Sequence, residues 1–198
     1  MNSEAFNELS DKSRLYVSEK INDTLIKGPR IIVFLFPPNA WNEDTNFEVE
    51  ENVREFNPIC PGGHLLTGLS RLITVGPQDE DHVWFCYAAI DDKGIIESCD
   101  RRSLITDIRQ FNLDEFADNF SRCIREYMDI YNSLDVDYPV FALVSLVEMK
   151  GYRLLSDDSL EIQKEKVTVG GPICSEDEVE DRITLLLTRI RQSFYPIL

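Results

Sequence analysis

The sequence predicts an α+β fold in which three main helices pack on a mainly antiparallel sheet containing a three-strand meander. Two segments, Arg30 to Pro37 and Tyr138 to Leu155, include long apolar runs, as in strands covered on both faces. Three shorter apolar segments between them are joined by acidic turns that contain glycine, which is typical of hairpins. Helical periodicity occurs before, between and after these segments. This order of elements is that of an α+β protein.

The whole chain, residues 1–198, is expected to form a single domain. A core of this size buries about 70% of the surface of the unfolded chain, and a division into two domains would need a linker. No tract rich in Gly and Ser or in Pro divides the sequence. The hydrophobic fraction of 43% and the charged fraction of 28% are near the averages for globular proteins.

The first helix is predicted to begin at Ser10 or Asp11 and to end at Lys27, before the stop signal Gly28-Pro29. Its thin apolar stripe consists of Leu15, Ser18, Ile21 and Leu25, which places the helix on the surface of the fold. The strand Arg30 to Pro37 follows, and Pro37-Pro38 ends it.

The middle of the chain is predicted to be irregular at first and then a meander. Turn-forming residues and an unsteady pattern of aromatic and acidic residues extend from Asn39 to Gly63. Three antiparallel strands are expected next, at Leu69 to Val75, Val83 to Ile90 and Gly94 to Cys99.

The strongest helical pattern follows Asn112, whose side chain can cap the helix while Glu115 returns the bond. Apolar residues then recur three and four positions apart and predict a core-facing stripe: Leu113, Phe116, Ala117, Phe120, Cys123, Ile124, Tyr127, Met128 and Tyr131.

The strand Tyr138 to Leu155 is followed by a short strand at Lys166 to Val169, and Gly170-Gly171-Pro172 is expected to break the chain after it. A last helix is predicted to open with a capping box at Ser175. Its buried stripe consists of Val179, Ile183, Leu186, Leu187, Ile190 and Phe194.

The formal charge of -16 disfavours direct binding of nucleic acid. Proteins that bind phosphates gain affinity from clustered Lys and Arg, and the basic residues of this chain occur in small groups among carboxylates. An acidic surface usually serves solubility, and the functional alternative is a face for a basic partner.

Five cysteines, Cys60, Cys86, Cys99, Cys123 and Cys174, are scattered without a framework and are expected to be reduced and mostly buried. The N-terminal residues are polar and acidic, and no window is apolar enough for a membrane span. A cytoplasmic location is therefore the default expectation.

One alternative interpretation is enzymatic. Asp137 and the sequence Glu148-Met149-Lys150 resemble the carboxylate and Glu-x-Lys arrangement with which metal-dependent nucleases bind Mg²⁺ and activate water. Asp137 precedes the same strand, however. At a rise of about 3.3 Å per residue, the carboxylates of Asp137 and Glu148 lie at opposite ends of the strand unless it bends. A different acid would have to complete the site.

The sequence predicts no metal site and no cofactor. Cys60 and His64, and likewise His82 and Cys86, have a spacing seen in zinc sites. Residues four apart on a strand lie about 13 Å from each other, however, so the second pair cannot hold one ion there. No nucleophile elbow, dinucleotide fingerprint or Walker sequence occurs in the chain.

The chain resembles the C-terminal region of bacterial Schlafen/Alba-type DNA-binding or ATP-binding proteins. The resemblance lies in the Pro-led strand ending in Val-Glu-Met-Lys-Gly-Tyr-Arg-Leu154, the helix Leu113 to Leu134, Gly94 to Asp100, Gly28 to Pro37 and the closing helix. The Alba-like domain of such proteins precedes this region and is not expected here, so no functional residue is carried over. What the resemblance implies is an accessory module working beside a nucleic-acid-handling protein, as in phage-defence systems.

The leading hypothesis is a non-catalytic, cytoplasmic protein-interaction module. Trp41 and Phe47, rimmed by acidic residues, are the predicted partner-binding residues, because exposed aromatic anchors contribute much of the energy of interfaces. In the alternative interpretation, Trp41 and Phe47 fold back and cover the sheet. Self-association through the same surface and binding of a small ligand remain open, and the runner-up is a metal-dependent nuclease or phosphoesterase centred on Glu148 and Lys150.

Overall fold

The fold was obtained as a computed structural model, which describes residues 3–53, 56–60, 62–68 and 71–195. Within these ranges the helices are α1 (Ser3–Lys20), α2 (Val49–Asn52), α3 (Leu113–Ser133) and α4 (Val179–Gln192). The strands are β1 (Arg30–Phe36), β2 (His64–Gly68), β3 (Arg71–Val75), β4 (Cys86–Asp91), β5 (Ile96–Asp100), β6 (Leu104–Ile105), β7 (Gln110–Phe111), β8 (Val140–Val147), β9 (Arg153–Leu154), β10 (Asp157–Glu161) and β11 (Lys166–Ile173).

The strands form two sheets, and the predicted α+β class is confirmed. The main sheet has seven strands in the order β11-β8-β1-β5-β4-β3-β2, with every neighbouring pair antiparallel. The consecutive neighbours β3, β4 and β5 are the expected meander; Leu69 and Ser70, where its first strand was predicted to begin, lie outside the described residues. A small sheet of order β10-β9-β7-β6 lies beside the main one and includes one parallel pair.

The main sheet lies between two helical layers. One face, with α3 and α4, belongs to the larger apolar cluster, and the other face packs against α1. All residues of β1 and β8 are buried, so the predicted covering on both faces is confirmed for these two strands. The Tyr131 hydroxyl on α3 donates to the carbonyl oxygens of Leu35 (3.1 Å) and Gly94 (2.7 Å), which ties the helix to β1 and to the turn before β5.

The predicted bounds and stripe of the first helix are wrong. The helix ends at Lys20, and Leu15 and Leu25 are exposed. Of the predicted stripe only Ile21 is buried, and the other buried positions are Leu9, Ser13 and Val17, which precede it at intervals of four residues. Ser13, with its small polar side chain, lies on the buried face of the helix. A search for large apolar residues does not identify such a position.

The predicted strand Tyr138 to Leu155 also needs correction, because β8 ends at Val147. Glu148 has a left-handed backbone (φ 56°), which turns the chain out of the sheet, and a tight turn leads to β9. The polar segment that follows contains β10. α2 lies in the region predicted to be irregular, and β2 lies between that region and the predicted meander, where no element was predicted.

Gly170 and Gly171 continue β11 and do not interrupt it. A Cβ at Gly170 would overlap the side chain of Leu143 and lie 2.5 Å from the Ala142 carbonyl oxygen, so the glycine allows β11 to approach β8 closely. The cap of α3 is confirmed, since the Asn112 side chain accepts from the Glu115 amide (3.3 Å). The Ser175 side chain forms no such bond, and a 3-10 turn leads into α4.

Cys60 and Cys86 form a disulfide, which corrects the prediction of reduced thiols. Hydrogen bonds from α3 position the first of these cysteines. The Tyr127 hydroxyl donates to the Asn57 carbonyl oxygen (2.8 Å), and Arg122 donates to that of Ile59 (2.8 Å). The segment before Cys60 is thereby fixed over the start of β4. Cys99 and Cys123 are free and buried, and Cys174 is free and exposed.

Candidate binding sites at the two ends of the main sheet

The register of the central strands defines two ends of the main sheet. Arg30 of β1 lies opposite Val147, and Phe36 lies opposite Phe141. We call the end at Phe36 the acidic end and the end at Arg30 the groove end. The seven residues of β1 place the two ends about 20 Å apart at the usual rise of a strand.

The acidic end carries a group of exposed carboxylates from several loops: Glu43, Asp44, Glu48, Asp129, Asp135, Asp137, Glu176 and Asp177. A cation in the same region, Lys93, already donates to the carbonyl oxygens of Asn42 (3.3 Å), Glu43 (2.9 Å) and Thr45 (2.8 Å). The pKa of Tyr138 is raised by burial first and then by the carboxylates of Glu176 and Asp129. The loops therefore converge to form a negative surface.

Trp41 and Phe47, the predicted partner-binding residues, are half-buried at this end. The Trp41 ring lies 5.6 Å from that of Tyr16 and 5.9 Å from that of Phe36, on the α1 side of the sheet. Phe47 packs on the α3 side, and its amide donates to the Asp92 carbonyl oxygen (3.0 Å). Both rings contribute to the core, and their contact with a partner stays a prediction.

A cleft at the acidic end separates α3 from the segment after α2. Its volume is about 340 Å³, and its polar lining consists of Asn52, Asn57, Glu126, Asp129 and Ser133. One carboxylate oxygen of Glu126 accepts from Arg122 (2.7 Å). The other, Oε2, is buried, and no described residue hydrogen-bonds to it. We call this feature the carboxylate cleft; its free acceptors suit a cationic donor.

At the groove end, a groove of about 640 Å³ follows the end of β8. Its charged lining consists of Arg101, Arg109, Glu148, Lys150, Glu161 and Glu165. Backbone bonds fix the turn that carries these side chains: the amide of Glu148 donates to Glu165 (2.8 Å), that of Gly151 to Ile162 (2.9 Å) and that of Arg153 to Arg109 (2.9 Å).

The groove contains paired and unpaired charges. Glu148 pairs with the buried Arg30 (3.1 Å), Lys150 with Glu165 (3.9 Å), and Arg153 with Glu161 (3.3 Å). Within the described part of the chain, no carboxylate lies at ion-pair distance from Arg101 or Arg109.

The buried Tyr152 lines the groove together with these two arginines. Burial raises the pKa of its phenol, and the charges of Arg101 and Arg109, which line the same groove, act in the opposite direction. The groove is therefore a polar site with two unpaired arginines in an acidic protein.

The residues predicted for the nuclease alternative do not share one site. Glu148 and Lys150 both line the groove, whereas Asp137 is exposed at the acidic end, beyond the far end of β8. Among the described residues, no group of three or more His, Cys, Asp and Glu side chains is arranged to hold a metal ion. His82 lies in a turn with a left-handed backbone (φ 61°) before β4 begins.

Sequence reasoning missed the carboxylate cleft and the arginines of the groove. Arg101, Arg109 and Tyr152 come from separate connections, and the small sheet β6, β7, β9 and β10 that unites them has strands of two to five residues. Strands this short have no measurable period. A sequence signal was the basic pair Arg101-Arg102 directly after an apolar strand.

Comparisons of the chain with protein-family models, with curated proteins and with solved structures found no match. In the part of the chain that the structure describes, none of the helices is both long enough and apolar enough to cross a membrane.

Proposed function

We propose that this protein is a non-catalytic interaction module whose acidic end binds basic side chains of a partner protein. The observation that carries the proposal is the carboxylate cleft, where Glu126 Oε2 is buried without a described hydrogen-bond partner next to Asp129. A buried acceptor left unpaired costs free energy, which a donor from a partner would recover.

The donor set of an arginine or lysine side chain suits this cleft. Guanidinium and ammonium groups donate several hydrogen bonds and accept none, whereas Glu126 and Asp129 offer only acceptors when ionised. The amide groups of Asn52 and Asn57 complete a polar lining. A single basic side chain inserted there would act as the anchor of the interface.

The surrounding carboxylates would bring a basic partner to the cleft. Charges of one sign on a surface raise the rate of association with an oppositely charged protein, and the effect falls as salt screens it. Lys93 offsets only one of these charges, and loop carbonyl groups hold its ammonium in place. The exposed acids therefore steer the partner and the cleft selects it.

The resemblance to the Schlafen/Alba-type region supports the choice of partner. It implies an accessory role beside a nucleic-acid-handling protein, and such proteins carry clustered Lys and Arg. An acidic face fits this chemistry, so we include association with such a system in the proposal.

The test compares capture of proteins from a lysate of the source cells by the wild-type protein and by the variant E126Q/D129N. The control D11N/D23N removes the same formal charge from exposed residues outside the cleft. Bound proteins are quantified by mass spectrometry. We expect a basic partner whose affinity falls about ten-fold or more in E126Q/D129N only.

A synthetic peptide from that partner then supplies a direct assay. Replacement of its arginines by the neutral isostere citrulline is expected to abolish binding. Equal capture by both charge variants, or equal affinity of the citrulline peptide, would show that the cleft is not the site.

A further inference from the structure

We infer that the groove end binds a small phosphorylated polyol, such as a sugar phosphate or a nucleotide, with its phosphate held by Arg101 and Arg109. This site lies at the opposite end of the sheet from the acidic end and does not depend on the partner proposed above.

The first observation is the local charge. Three cations, Arg101, Arg109 and Lys150, line the groove together with three carboxylates, Glu148, Glu161 and Glu165, so the lining has no net formal charge. The chain as a whole has a net charge of -16. A neutral site with two unpaired arginines therefore repels an anion less than the acidic surface of the rest of the chain does.

The second observation is that two guanidinium groups are available. Lys150, the other cation of the lining, has a carboxylate partner, whereas Arg101 and Arg109 have none among the described residues. Guanidinium groups match the oxygens of a phosphate in two parallel hydrogen bonds. Both arginines line the groove together with Tyr152, so both are available to one bound phosphate.

Gly151 explains how Arg109 reaches this position. A Cβ at Gly151 would lie 3.3 Å from Nη1 of Arg109, so the guanidinium rests against the bare backbone of the turn. Arg109 and Glu148 both have left-handed backbones, with φ of 50° and 56°. Left-handed residues other than glycine are costly and concentrate at functional sites, where the surrounding structure maintains them.

The third observation concerns the carboxylates of the groove, which are the reason to expect hydroxyl groups on the ligand. The side chains of Lys150 and Glu165 are 59% and 72% exposed, so their 3.9 Å pair is weak and easily exchanged. Glu165 and Glu161 can then accept hydrogen bonds from ligand hydroxyl groups while the cations hold the phosphate. A site for phosphate alone would not need them.

Size and total charge favour a small ligand over a polymer. The volume of about 640 Å³ lies within the usual range for small-molecule sites. A nucleic acid would extend past the groove onto an acidic surface, where its phosphates would be repelled.

The experiment measures binding of glucose 6-phosphate and of AMP to the full chain by isothermal titration calorimetry, with glucose and adenosine as unphosphorylated controls. The variants are R101Q and R109Q, and the matched control is R14Q, an exposed arginine on α1. We expect saturable binding of a phosphorylated compound that weakens about ten-fold or more in R101Q and in R109Q and is unchanged in R14Q. Tighter binding of glucose 6-phosphate assigns the site to sugar phosphates, and tighter binding of AMP assigns it to nucleotides.

A second measurement needs no variant. Arginine modification by phenylglyoxal, followed by peptide mapping, should show that the ligand protects Arg101 and Arg109 and leaves Arg14 reactive. The inference is overturned if neither phosphorylated compound binds saturably, if the unphosphorylated controls bind equally well, or if R14Q weakens binding as much as the groove variants do. These results would leave the acidic-end proposal untouched, because no groove residue takes part in it.

Discussion

The guanidinium of Arg30 and the carboxylate of Glu148 are 3.1 Å apart, yet the Arg30 side chain is 1% exposed and that of Glu148 is 56% exposed. The pair therefore spans the boundary between core and solvent. Arg30 also donates to the carbonyl oxygens of Gly28 and Ile21, so one buried cation joins the end of α1, the start of β1 and the end of β8.

Removal of the two partners should have unequal effects on stability. In Arg30→Met, two buried carbonyl oxygens lose their donor, and we expect a loss of about 2–4 kcal/mol in the free energy of unfolding. In Glu148→Gln, an acceptor remains and the site is partly solvated, so the loss should be about 1 kcal/mol. Glu165→Gln, at an exposed pair, is the control and should change stability by less than about 0.5 kcal/mol. Urea unfolding measures all three; equal losses in Arg30→Met and Glu148→Gln would contradict the explanation.

Asp91 should make stability depend on pH. Burial raises the pKa of its carboxyl from 3.8 to about 6, so between these pH values the folded protein keeps a proton that the unfolded chain has released. The free energy of unfolding of the wild type should therefore fall, relative to Asp91→Asn, as pH rises through this window. The asparagine keeps the oxygen that accepts from the amides of Lys93 and Ile95.

Asp157 provides a control of opposite sign. Hydrogen bonds from Ser159 lower the pKa of this exposed carboxylate, so its contribution is present above the unfolded pKa and is lost as pH falls. Unfolding curves of Asp91→Asn and Asp157→Asn measured from pH 3 to pH 7 should thus diverge from the wild type in opposite directions. A constant offset for Asp91→Asn across this range would show that burial does not shift its titration.

Gly170→Ala should destabilise the sheet strongly. The added methyl group would overlap Leu143 and crowd the Ala142 carbonyl oxygen, so β11 would have to move away from β8, at a cost of about 2 kcal/mol or more. Gly28→Ala is the control, because its Cβ would meet no heavy atom within 4 Å and its cost of about 1 kcal/mol comes from the left-handed backbone alone. Thermal unfolding should rank them in this order, and a reversed order would mean that β11 does not pack as described.

The disulfide Cys60–Cys86 should contribute measurably to stability. It closes a loop with a sequence separation of 26 residues, for which loss of chain entropy in the unfolded state predicts roughly 3–4 kcal/mol. Peptide mapping under non-reducing conditions should recover the two cysteines in one linked fragment. Reduction should lower the unfolding free energy of the wild type, with Cys174→Ser behaving like the wild type. Alkylation of the denatured, unreduced protein should modify three cysteines, Cys99, Cys123 and Cys174, and five would refute the bond.

Long apolar patterns made most of the fold predictable. The residues of β1, β8, α3 and α4 repeat their apolar positions over many residues, and the structure confirms these elements. The errors lie where a small or polar residue occupies a buried helix position or a strand position, because the sequence pattern predicts an exposed residue or a turn there. Ser13 is buried in α1, and Gly170 lies inside a strand because a neighbour leaves no space for a side chain.

The binding sites were less predictable than the fold, because they consist of residues distant in sequence. Glu148 and Lys150 were identified from the end of an apolar strand, and they do line the groove. Arg109 joins them through the parallel pairing of β7 with β9, a contact between strands of two residues each, and Arg101 follows the end of β5. The disulfide was missed for the same reason, since bonds from α3 position Cys60.

The separation of the acidic end from the groove end along β1 has a thermodynamic consequence. Strands β1 and β8, which are buried along their whole length, connect the two ends. A protein held at the acid-rich side and a metabolite held at the other should therefore bind with a coupling free energy near zero. The chain would act as an adaptor that carries both at once, a cargo and its recipient, without either one regulating the other.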